Sequence, residues 1–207
     1  MSLIERSVRD LLAAFSSSDP TTGGGSAAAL ASSVGASLLM MVAALPKTRS
    51  GSGDDRSALA AAAGSLAALR DQLSAAIDAD TAAYDRVVAA YRLPKSTDPE
   101  KAARKDAVQR ALRGAIDVPL EVMRLSARAL EAAAAVAQHG HRGASSDVGV
   151  AVALLGCGLR GARLNVEINL TSVQDEAYRT QIGDELNRLD AAARTSTETA
   201  EAMLARD

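Results

Sequence analysis

Residues 20–45 read PTTGGGSAAALASSVGASLLMMVAAL, three consecutive glycines ahead of a run without a charge. The run shows neither strand alternation nor a hairpin turn, so it is read as a helix over Ser26–Leu45, closed by Pro46. A helix that is apolar all round is normally enclosed by others, and this one is expected to be the central, buried helix of a bundle. Gly35, Ala36 and Ser37 would let neighbouring backbones come close. The run is long enough to cross a membrane. Ser26, Ser32, Ser33, Gly35 and Ser37 leave it only mildly hydrophobic, so no membrane partner is expected.

The glycines raise a separate question. A phosphate loop would need Lys-Ser/Thr after them, and a dinucleotide fingerprint would need a strand before them; neither is present. Two readings stay open. One is a tight turn. The other is a ligand lying against bare backbone N–H groups at the positive end of the helix.

Outward from this stretch the chain is rich in alanine and poor in rings. It has no Trp, and Phe15, Tyr84, Tyr91 and Tyr178 are its whole aromatic complement. Alanine is the best helix former, and strand signals are nearly absent, so one all-α domain over residues 1–207 is expected. Leu3, Val8, Leu11, Leu12 and Phe15 mark a first amphipathic helix. A long helix should start at Asp54 or Asp55 and end near Tyr91, before Pro94. Thr97 or Asp98 should open the next, running to about Gln138. Pro119 inside it is expected to break, kink or restart it. Asp147–Leu170 and residues 174–205 complete the set.

With 23 basic and 25 acidic residues the formal charge is −2, so no nucleic-acid partner is expected. Cys157 is the single cysteine, which excludes an internal disulfide or a cysteine-built zinc site and suits a cytoplasmic location. The charged, amphipathic N-terminus does not look like a signal peptide.

Two segments gather polar groups. At 100° per residue, Asp80, Tyr84, Val87 and Tyr91 share a stripe of roughly 60°, with Asp78 and Asp85 opposite. One helical face thus carries a carboxylate and half of the rings. Further on, Ser145 or Ser146 is a candidate cap and Asp147 lies in a first turn. Asp147, Leu154, Gly158, Gly161 and Asn165 share a face, and three glycines inside that helix imply close helix contact or room for a ligand. His139 and His141 lack a third ligand at a recognisable spacing, so no metal is expected. Arg142 could meet an anion, and Cys157 is read as inert packing.

Taken together, PTTGGGSAAAL, DADTAAYDRVVAAYRLPKST and SSDVGVAVALLGCGLRGARLNVEINL resemble the cyclodeaminase/cyclohydrolase family of folate enzymes over nearly the whole chain. DPEKAARKDAVQRALRGAIDVPLEVMRLS is especially similar to the stand-alone methenyltetrahydrofolate cyclohydrolases. The resemblance implies an all-α homodimer acting on a tetrahydrofolate derivative, with no metal or redox cofactor. It carries the family's functional positions onto Asp80, Lys95 and Asp147 as catalytic candidates. Gly23, Gly24, Gly25, Ser26, Tyr84, Tyr91, Arg142 and Ser146 follow as substrate-binding candidates. Two departures stand out: Thr22 replaces a usual proline, and His141-Arg142-Gly143 replaces a usual Asn-Pro-Asn. The expected reaction is hydrolysis of 5,10-methenyltetrahydrofolate. The alternatives are formimidoyltetrahydrofolate cyclodeamination and a non-catalytic folate-binding or helical assembly module.

Overall fold

A computed structural model describes residues 2–205, and six α-helices and a single 3-10 turn account for the regular structure among them. They are α1 (Val8–Phe15), α2 (Gly24–Ala43), α3 (Gly53–Tyr91), α4 (Asp98–His139), α5 (Ser145–Leu170) and α6 (Glu176–Leu204). The first helix is shorter than its apolar pattern suggested. Leu3 lies ahead of it, where the Leu3 amide and the Ser2 hydroxyl both donate to Asp78 on α3.

Local chemistry sets the helix starts. Ser52 caps α3 by accepting from the Asp55 amide. Thr97 and Glu100 form a reciprocal capping box on α4, and Asp175 caps α6. Neither candidate serine caps α5, since Ala144 holds the N-cap position. The Ser145 hydroxyl donates to the Arg142 carbonyl instead.

Pro119 neither breaks nor restarts its helix: α4 runs through it for 42 residues. A proline removes the N–H that would bond the carbonyl four residues back. That carbonyl belongs to Ala115, and Asn169 on α5 donates to it through Nδ2 at 3.0 Å. The orphaned acceptor has become a joint between two helices.

The second helix packs against α3, α4 and α5, and α6 lies on α4 and α5. Small residues set the α2–α5 spacing. A Cβ on Gly158 would sit 2.0 Å from Ser32 Oγ, and one on Gly35 would sit 2.8 Å from the Ala151 carbonyl. These glycines therefore serve close helix contact. Burial of α2 is not all-round: Ala29, Ala36, Leu39 and Val42 are fully enclosed, whereas Val34 and Met41 are 43% and 41% exposed. By length and composition α2 is the one described helix that could cross a membrane, and half of that stretch is buried within the protein. Alanine supplies 17 of the 44 buried apolar side chains among the described residues. Arg124 with Glu185, and Arg113 with Asp175, tie α4 to the α6 region across the surface.

Candidate active site

The last of the three glycines is explained by a carboxylate. Gly23 is the N-cap of α2 and has no side chain with which to cap it. Asp80, from the middle of α3, does so from outside: its Oδ2 accepts from the Ser26 amide at 2.8 Å and from the Ser26 hydroxyl at 3.1 Å. Ser26 Oγ also lies 2.8 Å from the Ile77 carbonyl, which fixes the seryl side chain against α3. A Cβ on Gly25 would stand 2.0 Å from Asp80 Oδ1. Gly25 is thus required by the approach of the acid to the helix end; no positive φ is involved. Gly24 is crossed closely by the Asn165 amide, 3.3 Å from where its Cβ would lie.

This junction opens into a cavity of about 280 Å³. Gly23, Gly24 and Gly25 line it, with Asp80, Tyr84 and Val87 from α3 and Asn165, Ile168 and Asn169 from α5. Pro20, Thr21 and Tyr84 also line an adjoining cleft of about 630 Å³ that extends along α3 to Arg92. Burial raises the Asp80 pKa above the usual carboxylate range, against the opposing pull of the two Ser26 hydrogen bonds. Oδ1 accepts no hydrogen bond among the described residues. The arrangement therefore offers a partly desolvated carboxylate, one oxygen anchored and one available, beside an amide-lined cavity. Such a group can take a proton or face a cation.

The remaining candidates lie elsewhere on the chain. Tyr91 is two helical turns beyond Tyr84 and joins Lys95 in a separate cleft of about 400 Å³ with Lys101, Arg104 and Lys105. Arg104 stacks over the Tyr91 ring at 5.7 Å. The shared stripe of Asp80, Tyr84, Val87 and Tyr91 thus serves the cavity only through its first three members. Asp147 and Ser146 sit in the first turn of α5, with Arg142 just ahead. Asn165 lies near the other end of that helix, so Asp147 is about 27 Å from the Asp80 cavity at 1.5 Å per residue. A single chain does not bring Asp80, Lys95 and Asp147 together.

Asn165 and Asn169 were missed as site residues. Asn165 stood on the correct helical face, but Asn169 is marked only by its bond to the carbonyl that Pro119 frees. His139 belongs to the end of α4, and its Nδ1 lies 2.8 Å from Asp55 Oδ1. Among the described residues no group of three or more His, Cys, Asp or Glu side chains is placed to hold a metal.

Comparison with known proteins adds to this geometry. The sequence profile of the formiminotransferase-cyclodeaminase family matches residues 7–188, and the chain belongs to that family. It is similar to a methenyltetrahydrofolate cyclohydrolase of Methylorubrum extorquens, 44% identical over 107 residues, which is 52% of this chain and 51% of that protein. It is also similar to the formimidoyltransferase-cyclodeaminase of Sus scrofa, 37% identical over 106 residues, covering 51% of this chain and 20% of that protein. The chain thus spans about half the length of the first relative and a fifth of the second. In fold it matches the crystal structure of formiminotetrahydrofolate cyclodeaminase from Thermotoga maritima, with a TM-score of 0.86 at 24% identity over 97% of this chain and 96% of that one.

Proposed function

We propose that the chain is a homodimeric folate one-carbon enzyme that hydrolyses 5,10-methenyltetrahydrofolate to 10-formyltetrahydrofolate. The observation that carries this reading is the half-buried Asp80 carboxylate at the mouth of an amide-lined cavity. The substrate spreads a positive charge over an N–C–N unit. A desolvated anion beside it favours binding, and the same anion can act as a base. Water adds to the bridging carbon as its proton passes to Asp80. A C–N bond then breaks, the released ring nitrogen is protonated, and one proton is left over for solvent. Asn165 and Asn169 would offer amide groups to the pterin, and Tyr84 a ring face. The basic cleft at Lys95, Lys101, Arg104 and Lys105 suits the anionic glutamyl end of a folate.

Cyclodeamination of a formimino group passes through a similar tetrahedral carbon and uses the same base, and the Sus scrofa relative keeps it as the second reading. The test offers both substrates to purified protein without added metal or nucleotide. Loss of the ultraviolet absorbance of methenyltetrahydrofolate is expected. Release of ammonia from formiminotetrahydrofolate alone would transfer the assignment to the deaminase, and turnover of neither would end the enzymatic reading.

A further inference from the structure

We propose that Asn165 and Asn169 set the specificity of the Asp80 cavity by presenting carbonyl oxygens, not NH2 groups, and so take the N3–H and the 2-amino group of a pteridine ring. The proposal rests on the folate reading for its ligand and on the hydrogen bonds of α5 for the polarity of the site.

An amide side chain has a donor end and an acceptor end, and the end that meets a ligand depends on what already holds the other. Asn165 Nδ2 donates to the Gly161 carbonyl at 2.9 Å, one turn back on its own helix. Asn169 Nδ2 donates to the Ala115 carbonyl, the acceptor that Pro119 deprives of its helical N–H. A carbonyl can only accept, so both NH2 ends are fixed against protein. Both residues line the cavity, and neither Oδ1 accepts a hydrogen bond among the described residues. Thr21, another polar residue of the wall, spends its hydroxyl on Asp19. Gly24 and Gly25 supply the opposite polarity, because the N–H groups of a first helical turn have no intrahelical acceptor.

The order of these groups around the cavity follows from their contacts. Asn169 is one turn of α5 beyond Asn165, a Cβ separation of about 5–6 Å. Asn165 lies against Gly24, and Asp80 Oδ1 lies against Gly25. The wall therefore runs acceptor, acceptor, donor, carboxylate. The polar edge of a reduced pterin runs 2-amino donor, N3–H donor, 4-oxo acceptor, and N5 stands next to the 4-oxo group. Laid against the wall in that order, the 2-amino group meets Asn169, N3–H meets Asn165, and the 4-oxo oxygen meets the Gly24 and Gly25 amides. N5, with the one-carbon bridge it carries, then falls beside Asp80. Turned end for end, the ring sets its 4-oxo oxygen against the Asn169 oxygen and takes the bridge away from the acid. One set of contacts thus selects the ring and places its reacting carbon.

Ligands with a methyl group in place of the 2-amino group test this. Turnover is followed with 5,10-methenyltetrahydrofolate and its 2-methyl analogue, and binding by calorimetry with 5-formyltetrahydrofolate and its 2-methyl analogue. The methyl ligand covers the Asn169 oxygen without pairing it, so wild type should lose roughly 10- to 100-fold in kcat/KM and in affinity, with KM changed more than kcat. Asn169→Leu removes that oxygen but also the partner of the Ala115 carbonyl. It is therefore combined with Pro119→Ala, which returns a helical N–H to Ala115, and folding is checked by circular dichroism. The double variant should handle amino and methyl ligands within about threefold of each other, since no acceptor is left unpaired. Equal handling of the two ligands by wild type, a comparison that needs no variant, would overturn the proposal and leave the enzymatic reading intact. An unchanged preference in the folded double variant would overturn it as well. Discriminating binding without turnover of either folate would sustain it and end the enzymatic reading. Failure of wild type to bind any of these ligands would reject it.

Discussion

At Asp80 two physical effects oppose each other. Burial raises its pKa and the Ser26 hydrogen bonds lower it, with burial the larger. A group that binds its proton more tightly folded than unfolded reduces stability as pH rises from the ordinary carboxylate range through the raised folded value. Ionisation of this acid is thus a thermodynamic burden on the fold. Asp80→Asn keeps an acceptor for the Ser26 amide while removing the charge. Its melting temperature should equal or exceed that of wild type, with turnover reduced about 10²-fold or more. For wild type, the acid limb of kcat/KM should lie above the usual carboxylate value of about 4. Gly25→Ala tests the contact from the other side. An alanine gains up to about 1 kcal/mol of helix propensity, but its Cβ meets Asp80 Oδ1 at 2.0 Å. The overpacking should cost about 1–3 kcal/mol and displace the acid, so both stability and turnover fall. Gly64→Ala in α3 meets nothing within 4 Å and should only stabilise.

Among the elements, α4 carries an interior proline without breaking because α5 answers the carbonyl it releases. Pro119→Ala supplies a new N–H to Ala115, which then competes with Asn169. The melting temperature should hold or rise, whereas kcat/KM should fall several-fold as Asn169 loses its anchor; unchanged kinetics would dissociate that bond from the site. At the far end of α4, His139 meets Asp55 at the start of α3. Hydrogen bonds from His139, then from the Ser50 backbone and side chain, hold the Asp55 carboxyl well below its ordinary range. A depressed pKa contributes stability that is fully present above about pH 4 and drains away as pH falls further. Asp55→Asn should therefore lower the melting temperature at pH 7 and flatten its acid dependence. Most helices were legible from caps and prolines, since Thr97, Pro94 and Pro46 act through neighbouring residues. Asp80 was legible from helical phase. Its bond to Ser26 spans 54 residues, and the partnership of Asn169 with Ala115 also spans 54. No local pattern encodes such pairs. That α4 would run on through Pro119 was not legible, because the compensation for the proline comes from another helix. The all-round apolar pattern of α2 could not separate an enclosed helix from one with a free stripe.

At the scale of the molecule, one hydrophobic cluster runs from Leu3 to Ala200 and includes residues of every helix. The chain should accordingly unfold as a single unit. Far-UV circular dichroism and tyrosine fluorescence, unobscured because tryptophan is absent, should report the same midpoint. Two separated transitions would divide the chain into independent parts.

The alanine interior has a calorimetric consequence. An alanine sacrifices no rotamer freedom on burial, and it withdraws little apolar area from water. Unfolding should then expose less hydrocarbon per residue than in a protein built around rings. Its heat-capacity increment should fall below the usual 12–15 cal/mol/K per residue, roughly. Such a protein has a shallow stability dome: it weakens little on cooling, and its free energy of unfolding changes slowly over tens of degrees.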